Sequence, residues 1–414
     1  MFETDRSPQW CGHERKGDKL ILAQVGWGKS DYVETGIGDG SLSGAILSPK
    51  DDDPNALIYY ANRLKSILKD GGLVLMDPQF YVTTIPQAKD GNLASYPYYA
   101  PSLNRTSFSP SNVGNYAKSV FDFQATVNVD RWISPTVLFN SFRDPWSQIA
   151  LTLAQASLSE QQSRKKGKPL LISLVFDEIA LRDRRSLDEY LDNISTLDVN
   201  GFYIIVRRND PNYPALFEED ALVNLLYITY VLADRNGFEV VYGYSDIIGL
   251  VLLPLGARAV SSGWYSNLRQ FSLSRFLPST GGRQPRDRYT SRRLLNSIFV
   301  NPELEQINTA GRLADVISST RYDSVMSAGP IRAIWPRKTS CLHHWKVLSD
   351  LEKLVNSGKS LGDRLDALEK LLTSSAAAYA DLISLGITFE PMTGPRDLGI
   401  WQRALRRFKS EVGV

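Results

Sequence analysis

Three carboxylates stand directly at the ends of apolar runs. Asp77 follows Gly72–Met76 within the stretch Val74–Val82 (VLMDPQFYV), and Asp177 and Glu178 follow Leu170–Phe176 (LLISLVF). A carboxylate in that position either marks where a buried strand meets water or serves as an acid or base at the edge of a site. Several converging on one rim could supply both an acid and a base, or grip the donor groups of a heterocycle. Other run ends carry Gln24, Lys50 and Asp51, Gln79, Arg207 and Arg208, Tyr244 and Asp246, then Ser261, Ser262 and Trp264. Asp77, Asp177 and Glu178 are therefore the catalytic candidates. Gln24, Gln79, Tyr244, Asp246, Ser261 and Trp264 are the candidate substrate contacts. A polar residue at any single strand end has a structural explanation too, so the set weighs more than its members.

A second cluster is basic. Between Arg269 and Arg293 the chain carries Arg269, Arg275, Arg283, Arg286, Arg288, Arg292 and Arg293 against one acid, Asp287, interleaved with Phe271, Phe276 and Tyr289. Arginines can neutralise phosphates while aromatic rings stack on bases, so Arg269, Arg283, Arg286 and Arg288 are candidate nucleic-acid or phosphate contacts. A solvated basic loop, or a site for a small anion, fits the same pattern. Metal chemistry has little to stand on. His343 and His344 are consecutive, so on a helix they point about 100° apart and cannot clamp one ion together. Cys341 and His13 add no ligand spacing, and no metal or cofactor is expected. The three histidines are placed outside the barrel core, which leaves no Ser-His-Asp set. Gly26–Ser30 (GWGKS) lacks the first glycine of a phosphate loop.

The elements that must position these residues are short Val-, Ile- and Leu-rich runs. They are Lys19–Gly26, Gly44–Ser48, Gly72–Met76, Leu170–Phe176, Gly201–Val206, Phe238–Tyr242 and Ala257–Ser261. Continuous rather than alternating apolar runs are what strands buried on both faces look like. Helical patterns separate them, two beginning after Asp53-Pro54 and Asp144-Pro145, where the aspartate can cap and the proline can open the first turn. With an eighth strand at Ser297–Val300, the alternation predicts a parallel (β/α)8 barrel over residues 1–300. An open doubly wound sheet competes, but no GxGxxG opens the first helix. Residues 83–134, with the YPYY of Tyr96–Tyr99, read as an insertion or lid after strand three. Residues 301–414 read as a helical extension packed on the barrel, with leucines at helical spacing in Trp345–Val355 and Leu361–Leu372.

Composition bounds the rest. The 414 residues are 43% hydrophobic and 22% charged, with a formal net charge of +2, as in an ordinary globular protein. Near-neutral charge means that any nucleic-acid contact must come from a local cluster. Cys11 and Cys341 form no CxxC, the N-terminus has no apolar leader, and Ile247–Ala257 is too short to span a bilayer. A cytoplasmic protein without membrane contact is expected.

The motifs, placed on this barrel, resemble the tRNA-guanine transglycosylase family, to which queuine tRNA-ribosyltransferases belong. Met76-Asp77-Pro78-Gln79-Phe80 is similar to that family's "TDSGGFQ", and Phe176-Asp177-Glu178 to its "FDE". Tyr242-Gly243-Tyr244-Ser245-Asp246, an apolar helix, then Gly256–Val260 resemble its "GxGxPEDL…GxDxFD". The resemblance covers roughly residues 19–300. It implies base exchange at a nucleoside, with Asp77 as acid/base or substrate contact, Asp177 bonding the base, and the basic stretch meeting RNA. The family's nucleophilic aspartate falls where this chain has Ser261, and its cysteine-rich zinc site has no counterpart. The expected function is thus a transglycosylase-like enzyme acting on a nucleobase or nucleoside, with nucleic acid, nucleotide or protein partners. The alternatives are a barrel without catalysis that binds nucleic acid or scaffolds an assembly, and a two-carboxylate glycoside hydrolase.

Overall fold

The structure is a computed structural model and describes residues 19–210, 212–278, 286–327 and 335–414. Nine short parallel strands fill eight positions of a nearly closed barrel. They are β1 (Leu20–Gln24), β2 (Gly44–Leu47), β3 (Leu73–Met76), β4 (Trp132–Ile133), β5 (Leu138–Phe139), β6 (Leu170–Asp177), β7 (Gly201–Arg207), β8 (Glu239–Tyr242) and β9 (Ala259–Ser262). The order is β3-β2-β1-β9-β8-β7-β6-β4, and β5 pairs with the far end of β6, continuing the position begun by β4. Asp130 bridges the seam between β3 and β4. Its N–H donates to the Val74 carbonyl at 2.8 Å, and its carboxylate accepts the Val74 N–H at 2.7 Å.

Helices cover the outside, which is why the strands are apolar on both faces. Asp53 accepts the N–H groups of Asn55 and Ala56 and starts the helix Pro54–Ile67. Asp144 accepts that of Trp146 and starts Pro145–Ser163. Both prolines stand at the first helical position, where a missing N–H costs nothing.

Three expectations are corrected. Ser297–Val300 is not the eighth barrel strand. Asn296–Phe299 (β11) pairs antiparallel with Arg288–Ser291 (β10) in a separate hairpin. The missing βα unit lies inside the segment expected as an insertion or lid, as the helix Pro110–Thr126 and β4. A two-residue strand has no periodicity to read, whereas an apolar run announces a strand without saying which sheet it joins. The helix Arg337–Val355 packs on β1 and on the helices Tyr32–Gly38 and Gly249–Leu252, where the last barrel helix belongs. Trp345 in this helix donates its indole N–H to the Ser262 carbonyl at 2.9 Å. His343 and His344 are accordingly buried against the barrel, not outside its core. Chain distance hid this: the helix returns to the barrel only after the hairpin. Beyond it, Leu361–Ser384 and Arg396–Val412 pack on each other, and the latter lies along Glu219–Thr229. Among the described residues no helix is long and apolar enough to cross a membrane.

Register fixes what points inward. Gln24 pairs with Ile46, Ile46 with Leu75, and Ser173 with Tyr203. Side chains alternate along a strand, so Ser48 and Asp77 share the face of Ile46 and Leu75. That face is the interior, because Tyr203 on β7 reaches across the barrel to Asp77 beyond β3. Apolar layers fill the barrel from below, and a polar layer of Gln24, Ser48, Asp77, Asp177 and Ser261 ends it at the carboxyl side.

Candidate functional site

The polar layer surrounds Asp77, which is 1% exposed. Its Oδ1 accepts the Gln79 N–H at 2.9 Å, and its Oδ2 accepts the hydroxyls of Tyr81 at 2.9 Å and Tyr203 at 3.4 Å. Burial pushes the Asp77 carboxyl up to about 6, against the pull of those donors and of the Arg275 guanidinium. A carboxyl poised there can give or take a proton near neutral pH. Beside it, Ser261 Oγ donates to Gln24 Oε1 at 2.8 Å and accepts the Tyr244 N–H at 3.0 Å. Gln24 Nε2 is buried with no hydrogen-bond partner among the described atoms. Gln79 donates to Ser48 Oγ at 3.0 Å and accepts the Lys50 N–H at 2.9 Å.

Backbone strain collects at the same rim. Gln79, Tyr244 and Asp246 hold φ of 53°, 51° and 47°. For residues with a Cβ such conformations cost on the order of 1 kcal/mol each and tend to gather at functional positions.

The mouth above Asp77 is closed by the chain that follows β9. Arg275 donates to Tyr244 Oη at 2.8 Å and to Ser48 Oγ at 3.0 Å, and forms an ion pair with Asp51. Phe271 and Phe276 are fully buried beside it, each with its ring edge-on to Tyr81. This polar chamber, as we term the set of side chains around Asp77, is buried and capped by the chain's own loop.

The remaining candidates fall into three groups. Asp177 faces the same interior but stands beyond β4, not on the strand next to Asp77 as the sequence count implied. It accepts from Asn209 Nδ2 at 2.6 Å and the Ile179 N–H at 2.9 Å, and pairs with Arg207 at 3.3 Å. Glu178 turns aside to Arg208 at 2.8 Å and the Asn209 N–H at 3.0 Å. Among the described contacts none joins Asp77 to either. Trp264 packs against Tyr32 and Trp345 and donates to the Trp27 carbonyl at 3.1 Å.

The arginines of the basic stretch turn largely inward. Arg269 donates to the Gly263 carbonyl at 2.9 Å and to Tyr213 Oη at 3.2 Å. Arg288 donates to the carbonyls of Ser297 at 2.6 Å and Tyr213 at 3.1 Å. Arg286, half exposed, pairs with Glu390. Arg283, like Cys11 and His13, lies outside the described residues.

The third group centres on Asp246, whose carboxylate has described partners that do not include Asp77 or its neighbours in the polar layer. Its carboxylate meets His344 Nε2 at 2.9 Å and accepts from Ser262 Oγ at 2.9 Å and Tyr213 Oη at 2.5 Å. Thr290 Oγ1 sits 2.9 Å from His344 Nδ1. Burial holds the imidazole down at about 4, so it is neutral, with Nε2–H toward the carboxylate and Nδ1 accepting. Serine, histidine and aspartate thus do meet, contrary to expectation. Both Ser262 and Asp246 address the same imidazole nitrogen, however, so the trio ties the last helix to the barrel and cannot relay a proton as a triad does.

Tyr81, Tyr203 and Arg275 are the chamber residues that the strand-end criterion passed over. Tyr203 is the one hydroxyl inside Gly201–Val206, and Tyr81 follows Gln79 by two residues; both signals are legible once inward parity is known. Among the described residues no cluster of His, Cys, Asp and Glu has the makings of a metal site.

Fold and site together define a (β/α)8 barrel with C-terminal helices and a polar carboxyl end. No family model matches the chain, and no curated protein matches it. Among solved structures, the chain is similar to the crystal structure of dihydrodipicolinate synthase from Oceanobacillus iheyensis, at 10% identity over 95% of this chain and 97% of that one, with a TM-score of 0.22. A likeness that distant carries no argument about activity.

Proposed function

We propose that the chamber around Asp77 receives a nucleobase or nucleoside, as in the base-exchange transglycosylases that the motifs resemble. The observation that carries this reading is a carboxyl raised to about 6 at the carboxyl end of a barrel strand, inside a ring of hydroxyl and amide groups. In this fold that end is where substrates sit. Asp77 is the acid that protonates a ring nitrogen, or when ionised the acceptor for two donors of the base. Gln24 supplies an amide donor in need of an acceptor. Tyr244 frames the chamber, and the Asp177–Arg207 pair stands at its rim. Ser261 is a hydrogen-bonding residue here and not a nucleophile, because no base adjoins its hydroxyl. The loop bearing Phe271, Arg275 and Phe276 acts as the lid.

The test is calorimetric titration of the full chain with guanine, adenine and their nucleosides, for wild type and Asp77→Asn. Binding by wild type that weakens roughly tenfold or more in the variant is expected, since a buried charge-assisted bond is worth about 1.5–3 kcal/mol. Equal binding by both, or none by wild type, overturns the reading. A second reading, a barrel without catalysis that serves as a binding or scaffolding subunit, is favoured by the Arg275–Asp51 pair filling the mouth. It inherits the case if the titration fails.

A further inference from the structure

The opposite end of the barrel is open. A cleft of 1240 Å³ lies under the starts of the strands and extends to the turn between Arg337–Val355 and Leu361–Ser384. Small-molecule pockets usually measure about 300–1,000 Å³, so the space is ample for a ligand. Lys19, Arg131, Arg258, Lys353, Lys359 and Arg364 line it, against the acids Asp234, Glu239 and Glu352. Six positive and three negative groups leave an excess of three positive charges. Glu239 is paired with Arg131 at 2.9 Å, and Asp234 with Arg364 at 3.7 Å.

Lys19 lines the cleft, and its Nζ donates to the Gly256 carbonyl at 2.9 Å. Burial first, then the guanidinium groups of Arg364 and Arg258, push its ammonium down to about 8, while Glu352 and Asp234 pull the other way. Ser41 lines the same cleft at 2% exposure, and its hydroxyl has no hydrogen-bond partner among the described atoms. The Asn356 carboxamide oxygen, also in the lining, is in the same condition. Both atoms are themselves buried, so they add polarity to the wall behind the cleft, and the groups that meet its open space are the exposed Lys353 and Lys359. Phe238 places an aromatic ring in the wall. In barrels of this class the amino end ordinarily serves stability alone, which converging like charges oppose.

We propose that the cleft at the amino end of the barrel binds a small molecule carrying two or more phosphate groups, of the nucleoside di- or triphosphate class. Two phosphates carry about three negative charges, which matches the excess in the cleft. Phe238 stacks on the base, and Lys353 and Lys359 meet the phosphates. The site is independent of the Asp77 chamber, from which the five residues of β1 separate it by roughly 17 Å.

Calorimetric titration of the full chain with ATP, ADP and inorganic tripolyphosphate tests this. Tripolyphosphate, which carries no base for the Asp77 site, binds wild type and Asp77→Asn alike. Binding weakens roughly tenfold or more in the exposed double variant Lys353→Glu/Lys359→Glu and in Lys19→Met. In wild type it also weakens as pH rises past about 8, where Lys19 loses its proton. ATP binding tighter than tripolyphosphate supports the nucleoside assignment, and equal affinity removes that part. No binding, or binding unchanged in the exposed double variant, overturns the proposal.

Discussion

At the carboxyl end of the barrel Arg275 lies over Asp77, with Phe271 and Phe276 filling the space around it, whereas at the amino end Lys19, Arg258 and Arg364 border an open cleft of 1240 Å³. The same strands supply both ends. Above, apart from the Gln24 amide, acids, hydroxyls and amides answer one another within bonding distance, and the guanidinium groups of Arg275 and Arg207 are matched by Asp51 and Asp177. Below, basic groups outnumber acids and their shared space is left to solvent. A polar strand end therefore does not of itself make an accessible site: what separates the ends is whether the chain that follows the strands returns to cover them. The segment after β9 covers the carboxyl end, while at the amino end the turn after the helix Arg337–Val355 only edges the cleft.

The contrast can be broken first at Arg275. Its guanidinium is 4% exposed and its partner Asp51 9%, so Arg275→Ala leaves a buried carboxylate without its counter-charge. Removing one partner of such a pair costs about 3–5 kcal/mol, and chemical denaturation should register a loss of that size. A loss below about 1 kcal/mol places the pair in solvent and the mouth open.

The next effect concerns pH. Asp77 titrates near 6 when folded against an ordinary 3.8, so the folded chain holds this proton more tightly than the unfolded one. The stabilisation from that proton is complete below about 4 and is lost as pH rises through about 6. Relative to Asp77→Asn, wild type should lose roughly 3 kcal/mol across that window. Denaturation curves of the two proteins at pH 4 and pH 7 measure it, and a constant difference contradicts a sealed chamber.

The smallest change in stability is expected at the amino end. Lys353 and Lys359 are exposed, so Lys353→Glu/Lys359→Glu should alter unfolding by no more than about 0.5 kcal/mol while removing polyphosphate binding. A large loss of stability there assigns the lysines to the fold and dissolves the contrast between the two ends.

Much of this was legible in the chain. The apolar runs located seven of the barrel positions, and Asp53-Pro54 and Asp144-Pro145 located two helix starts, because burial on both faces and capping are local demands on residue type. Gln24, Asp77 and Ser261 were found at the rim for the same reason. Trp132–Ile133 was not, since two residues carry no period, and Ser297–Val300 looked like the strand that Trp132–Ile133 in fact provides. The inward turn of Arg269, Arg275 and Arg288 was equally illegible: a run of arginines looks the same whether its partners are phosphates or the chain's own carbonyls and carboxylates.

The sequence by itself determined the alternating parallel class, the strand ends and the carboxylates standing on them, because each follows from hydrophobic pattern and neighbouring residues. Only the tertiary structure decided which of those groups are sealed and which face open space. Arg275 meets Asp51 across 224 positions of chain, His344 meets Ser262 across 82, and Lys19 meets Gly256 across 237. Closures over such separations are set by how the whole barrel packs, and no local pattern encodes them.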